Sequence, residues 1–152
     1  MRVEIVAKNF PELVARLAAM AEATRIAGQH AIAVGTDVPY AHFVTDGTRP
    51  HLIYPSAKRA LAWPGAAHPS KVVHHPGYRG NPFLTDALRD DVAPRIVAIL
   101  AAMDAIAHGA PPALMEEALT ANDLALLADA RKRANVETGN LRDSLHIDRL
   151  GG

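Results

Sequence analysis

The spacing of apolar residues changes period several times along the chain, and each change marks an element. Over residues 2–8, Val3, Ile5 and Ala7 alternate with Arg2, Glu4 and Lys8, the period of two expected of a half-buried strand. From Asn9 the period lengthens: Asn9, Pro11 and Glu12 supply a side-chain cap, a first-turn proline and an early carboxylate. Phe10, Leu13, Leu17, Met20 and Ala21 then form the expected buried stripe of a helix that Gly28 ends. "HAIAVGTD" predicts a short strand entering a turn at Thr36 to Pro39. "YAHFVTDG" has the spacing of about two helical turns, with Tyr40, Phe43 and Val44 on one side and Gly47 as the stop.

Between Arg49 and Gly80 the pattern turns to strand and loop. "HLIY" and "RALAW" around the turn-like "PSAK" predict a hairpin, and "KVVHH" a third strand. Asn81 and Pro82 repeat the cap-then-proline signal, and Leu84, Leu88, Val92, Ile96, Ile99, Met103 and Ile106 continue at helical spacing to Gly109. This is the longest helix the pattern predicts, with a kink or break at Pro94, which removes one backbone hydrogen bond and crowds the carbonyl of Asp90. "GAPPAL" is the best linker, dividing the chain at 1–109 and 110–152. Beyond it, residues 113–134 predict a helix with an interruption at Asn122 and a stripe of Leu124, Leu127, Ala128 and Arg131. "VETGN" is a turn and "SLHIDRL" a short strand.

Composition narrows the function classes. The 152 residues are 49% hydrophobic, enough for one compact domain, and sixteen Lys and Arg balance sixteen Asp and Glu. No whole-molecule attraction to nucleic acid or an anionic membrane follows. The absence of cysteine removes disulfides, thiolate zinc sites and cysteine nucleophiles together. No stretch reaches the roughly 20 apolar residues that span a bilayer, and the N-terminus lacks the apolar run of a signal peptide, so a soluble, unexported chain is expected.

The candidates for chemistry are few. Five histidines, His42, His51, His68, His74 and His75, fall close together, which raises a histidine metal site. Adjacent His74 and His75 on a strand point to opposite faces, however, and no HExxH signature is present. His75 before Pro76-Gly77 reads better as a residue holding a turn. Ser56, Ser70 and Ser144 stand in no GxSxG elbow, and no phosphate-binding glycine loop occurs. We therefore expect no enzyme and no cofactor. Charge is uneven: between Asp46 and Asp86 there is no carboxylate, yet Arg49, Lys58, Arg59, Lys71 and Arg79 fall there with four histidines. The residues are candidates for contact with DNA or an acidic partner, or form an ordinary solvated face.

Two stretches carry a resemblance. "VGTDVPYAHFVTDGTRPH" at 34–51 and "HPGYRGNPFLTDAL" at 75–88 resemble the tail-completion, or neck, proteins of long-tailed bacteriophages, and "TGNLRDSLHI" at 138–147 is similar to a further element of that family. The matching motif residues are Tyr40, Ala41, Gly47 and Thr48; His75, Pro76, Gly77, Asn81, Pro82, Phe83 and Leu84; and Thr138, Gly139, Asn140, Leu141 and Arg142. Two departures stand out. Thr45 and Asp46 replace the family's acidic-aromatic pair, and the TGNLR element lies at the C-terminus instead of before "VGTDVPYA". A permutation would place 113–147 where the family has its N-terminal unit, in the same subunit or, by swapping, in a neighbour.

The resemblance implies an α+β fold, with a small curved antiparallel sheet packed against a long helix and a C-terminal helix-loop-strand unit. It implies a structural virion protein at the head-tail junction, assembled in the host cytoplasm. Expected partners are further copies in a ring, a hexamer before a dodecamer, the tail terminator, the head-closure or connector proteins, the tail tube and the genomic DNA in the lumen, with no membrane. Loops 64–70 and the C-terminal unit are the expected partner contacts. Two other classes stay open: a histidine-dependent metal enzyme using His42, His51, His74 or His75, and a nucleic-acid-binding module using the basic 49–79 region.

Overall fold

The computed structural model describes residues 10–90, 92–134 and 139–150; the strand expected over residues 2–8 and the motif residue Thr138 lie outside them. The elements run α1 (Phe10–Gln29), β1 (Ile32–Gly35), α2 (Ala41–Asp46), β2 (Gly47–Thr48), β3 (His51–Ile53), β4 (Val73–His75), β5 (Tyr78–Arg79), α3 (Phe83–Asp90), α4 (Val92–Ala107), α5 (Ala113–Arg133), α6 (Asn140–Ser144) and β6 (His146–Arg149). The fold is α+β, mostly helix with small antiparallel sheets.

Two apolar clusters hold it together, and α5 belongs to both. Its first half joins α1 and α4, where Ala23, Ala102, Ile106, Met115 and Leu119 are buried. The two alanines let the helices approach closely. Its second half joins α3, α6 and β1: Phe83, Ala87, Leu126, Ala130, Ala134, Leu141 and Leu145 are buried, with Ile32, Val34, Ala41 and Val44 packed around them. Each cluster therefore draws on both sides of the Gly109 linker.

The strands form three separate two-stranded ladders, β1 with β6, β2 with β5 and β3 with β4, where one curved sheet was expected. The last two are parts of one long hairpin. Gly47 pairs with Arg79 and Thr48 with Tyr78, and the same register resumes at His51 with His75. Continued between them, it sets Pro50 opposite Pro76, and neither proline has an N–H to donate. The expected pairing of "HLIY" with "RALAW" does not form. Residues 51–53 pair with 73–75 instead, and of the second segment only Leu61 bridges, to Ser70. The glycines at the hairpin root fix the long register, which leaves "PSAK" as a bend within one arm.

Helix is described on both sides of residue 91, as α3 to Asp90 and as α4 from Val92 with Pro94 inside it; the kink or break expected there turns on a residue outside the described ones. The Arg95 guanidinium donates to the carbonyls of Ala87 at 3.1 Å and Leu88 at 2.7 Å, tying the start of α4 to the end of α3. The helix α5 runs for 21 residues with no interruption at Asn122. Packing on both α3 and α4 overrides the weak helix propensity of asparagine.

Two buried stripes differ from expectation. In α1 the covered side is Ala19, Met20, Ala23, Ile26 and Ala27, while Phe10 is 62% and Leu17 56% exposed, and Leu13 is exposed with them. The helix is apolar on two sides, and periodicity alone selects the one with larger residues. In α5 the buried line is Met115, Leu119, Asp123, Leu126 and Ala130, leaving Leu124 in solvent. A carboxylate stands on that line because His30 reaches it, Nε2 to Oδ2 at 2.9 Å.

Candidate functional site

The motif residues meet at the root of the long hairpin and on the cluster beneath it. Tyr40 is exposed at the head of α2, its carbonyl accepting from the Phe43 and Val44 amides, and Ala41 packs on the cluster around Phe83. Gly47 follows at φ 80°, where a Cβ would stand 2.3 Å from the Tyr78 carbonyl oxygen and 2.5 Å from the Gly80 nitrogen. A Cβ on Gly80 would in turn meet the Thr45 carbonyl oxygen at 2.2 Å. The two backbones can cross only because both positions lack a side chain. Thr48 lies beside this crossing, with a buried hydroxyl that has no hydrogen-bond partner among the described residues.

His75 holds the turn as its sequence position suggests. The Gly77 amide donates to His75 Nδ1 at 3.1 Å across Pro76, with Gly77 at φ 85°. His51 lies opposite, ring centroids 5.0 Å apart and nearly stacked, and its Nδ1–H donates to the Arg49 carbonyl. The two rings thus carry opposite tautomers. His75 presents Nε2–H, not a lone pair, so a metal bound there would have to break the turn bond. His74 stands opposite Leu52 in the ladder, on the other face, and His42 lies against Phe43 in α2. Among the described residues no three metal-ligating side chains come together.

Asn81 joins the root to the body. Its amide donates to the Val44 carbonyl at 2.8 Å and its side-chain Nδ2 to the Arg133 carbonyl at 3.1 Å, at the end of α5. Pro82 precedes α3, its carbonyl accepting the Asp86 amide, and Phe83, 1% exposed, anchors the helix in the cluster with Leu84 packed beside it. Arg133 also binds Asp129 at 2.6 Å and pairs with Asp90, and these carboxylates raise its pKa, that of Asp90 first. The third motif arrives from the far end of the chain. Gly139 is left-handed at φ 78° before α6, Asn140 is exposed and Leu141 is buried in the same cluster as Phe83. Arg142 binds the neighbouring Asp143 at 2.7 Å, which lowers that carboxyl's pKa. Ser144 Oγ meets Thr36 Oγ1 at 2.6 Å, and β6 pairs along all of β1, from Ile32 with Arg149 to Gly35 with His146. All three motif stretches are thereby joined within one chain.

The five candidate cations are spread along the hairpin: Arg49 and Arg79 near its root, Lys58, Arg59 and Lys71 further out. All are exposed, and none forms an ion pair among the described residues. What the sequence reading missed is the apolar surface among them, where Leu52, Tyr54, Trp63, Val72 and Tyr78 are exposed. The signal was present in those large side chains, but the expected sheet would have covered them. The His30–Asp123 pair was missed as well; an acid in register with Met115, Leu119 and Leu126 demands a partner, and that demand is readable.

Comparison with protein-family models, curated proteins and solved structures finds no match for the chain. No helix of the described residues is long and apolar enough to cross a membrane.

Proposed function

We propose that this chain is a structural virion protein of a tailed bacteriophage, a ring at the head-tail junction that joins the tail terminator to the head-closing proteins. The observation that carries the reading is the convergence of three separated motifs. Residues 34–51, 75–88 and 139–147 resemble elements of one family, and they share a single cluster around Phe83, Leu141 and Leu145. The displaced "TGNLR" element therefore has a physical place: β6 lies on the strand of the first motif, and α6 packs against the helix launched by the second.

Surface area supports assembly. The chain exposes 11171 Å², where a compact monomer of 16.2 kDa has about 7,500 Å². Setting aside roughly 150 Å² for every residue outside the described ranges, as for an extended chain, still leaves an excess above about 1,000 Å². A subunit gives on the order of 800 Å² to each neighbour in a standard interface. The function is then geometric: apolar faces such as Phe10, Leu13 and Leu17 are covered on assembly, sixfold rather than twelvefold, around a lumen through which DNA passes. No catalysis and no cofactor enter this reading.

The direct experiment deletes the gene from the phage or prophage that carries it and examines the lysate by electron microscopy. Filled heads and free tails that fail to join are expected, with joining restored by the chain supplied in trans. Normal yields of complete, infectious particles without the chain would reject the reading.

A further inference from the structure

The long hairpin has no core of its own and borrows none from the body. From 49 to 80 not one position is buried. Yet Leu52, Tyr54 and Trp63 are each about half exposed or more, at 49%, 64% and 49%. The cations Arg49, Lys58, Arg59, Lys71 and Arg79 stand among them, without a carboxylate between Asp46 and Asp86. Aromatic and aliphatic area mixed with unpaired cations is the composition of an interface anchor left in water.

The rest of the chain has the opposite charge. Eleven cations face sixteen carboxylates outside this window, so a surplus of five positive charges on the hairpin is matched by five negative charges elsewhere. Within one molecule the two are not brought together, since none of the five hairpin cations is ion-paired among the described residues. A second copy supplies what the first cannot reach. On α5, Glu117, Ala121 and Leu124 are exposed and fall on one helical side, an acid next to apolar area that complements the cation-and-aromatic hairpin. The excess accessible surface is also of the size that neighbour contacts remove.

We infer that the 49–79 hairpin is an arm that docks onto a neighbouring copy of this chain, at the side of α5 that carries Glu117, Ala121 and Leu124. The inference rests on the assembly reading above and names the surface that carries it. Passing DNA would satisfy the cations but would leave Leu52, Tyr54 and Trp63 uncovered, which favours a protein surface.

The test mixes isotope-labelled and unlabelled full-length chain and treats it with a carbodiimide, which joins an amine to a carboxylate with no spacer. Links from Lys58 or Lys71 to carboxylates of α4 or α5 should join a labelled to an unlabelled chain. The variant Lys58→Glu/Arg59→Glu should raise the protein concentration needed for association about tenfold, with its circular dichroism unchanged and its unfolding midpoint unchanged where both chains are dissociated. Adding Glu117→Lys should recover part of that loss. Hairpin links confined to single chains, or association unaffected by the charge reversal, would overturn the arm while leaving a ring intact as a separate matter. Arm-linked pairs that never close would instead sustain the arm and count against the ring. A chain that stays single and shifts duplex DNA with a steep salt dependence would overturn the arm in favour of nucleic acid.

Discussion

The cluster around Phe83 and the hairpin from 49 to 79 are adjacent in sequence and opposite in kind. In the first, seven side chains from α3, α5, α6, Ala134 after α5 and Leu145 after α6 are buried against one another, and backbone carbonyls around them accept from Asn81, Arg95 and Arg131, the last donating to the Leu145 carbonyl at 2.7 Å. In the second, side chains as large as Trp63 remain in water and the ladder is cut at facing prolines. The contrast separates what folds the subunit from what the subunit offers. A residue of the same size should therefore matter to stability in one region and to association in the other.

The largest expected effect breaks the cluster. Phe83→Ala should lower unfolding free energy by about 3–5 kcal/mol, the usual cost of deleting a buried aromatic ring. Trp63→Ala removes a larger ring from the hairpin and should change the stability of the dissociated chain by no more than about 0.5 kcal/mol. Denaturant midpoints of the two variants, measured where the chain is dissociated, check the pair. Equal losses would erase the distinction.

Next comes the buried pair between His30, just past α1, and Asp123 of α5. His30→Ala should cost about 3 kcal/mol, because Asp123, whose Oδ1 has no partner among the described residues, would keep no hydrogen bond there for a buried side chain. Replacing both residues by leucine should recover most of the loss, as measured by thermal unfolding. A double variant as unstable as the single one would show that the pair contributes more than relief of desolvation.

At the boundary between the regions, Gly47→Ala should cost on the order of 1–3 kcal/mol, since the backbone is left-handed there and a Cβ would enter the Tyr78 carbonyl. Hydrogen exchange should place the damage first at the amides of the β2–β5 and β3–β4 ladders. Loosening that begins in α4 and α5 would mean that the root also holds the helices.

The smallest effect is at the β1–β6 ladder. The Ser144 carbonyl, then Asp148 and Asp37, raise the pKa of His146 against the opposing effect of burial. The folded chain therefore binds this proton more tightly than the unfolded one. Its stabilisation is complete below the unfolded histidine value of about 6.5 and is lost as pH rises through the higher folded value. His146→Gln should lose most relative to the parent near the acid end and approach it toward alkaline pH in chemical denaturation. A difference that grows with pH would contradict this.

Much of the fold was readable because local chemistry agreed with its context. The start of α3 at Asn81-Pro82-Phe83 and the turn at His75-Pro76-Gly77 follow from residues that allow few alternatives. The misreadings have a common cause. Periodicity ranks faces by apolar size, so in α1 it selects Phe10, Leu13 and Leu17, whereas the small residues Ala19, Ala23 and Ala27 are what allow α4 and α5 to approach. In α5 it rejects Asp123, because a distant histidine makes the burial tolerable. The hairpin register was hidden for a similar reason: Gly47 and Gly80 decide it through a backbone crossing that no local pattern records. The candidate site was legible as motifs and charge. Its exposed aromatic surface was not, since exposure depends on which strands pair.

Native mass spectrometry of the purified chain at micromolar concentration separates an assembling subunit from a free one. A single closed species is expected at an integral multiple of 16.2 kDa, six being the expected number, and it should dissociate when the hairpin cations are reversed. A mass of one chain across that concentration range, with Trp63 as accessible to solvent as in the isolated subunit, would contradict that expectation.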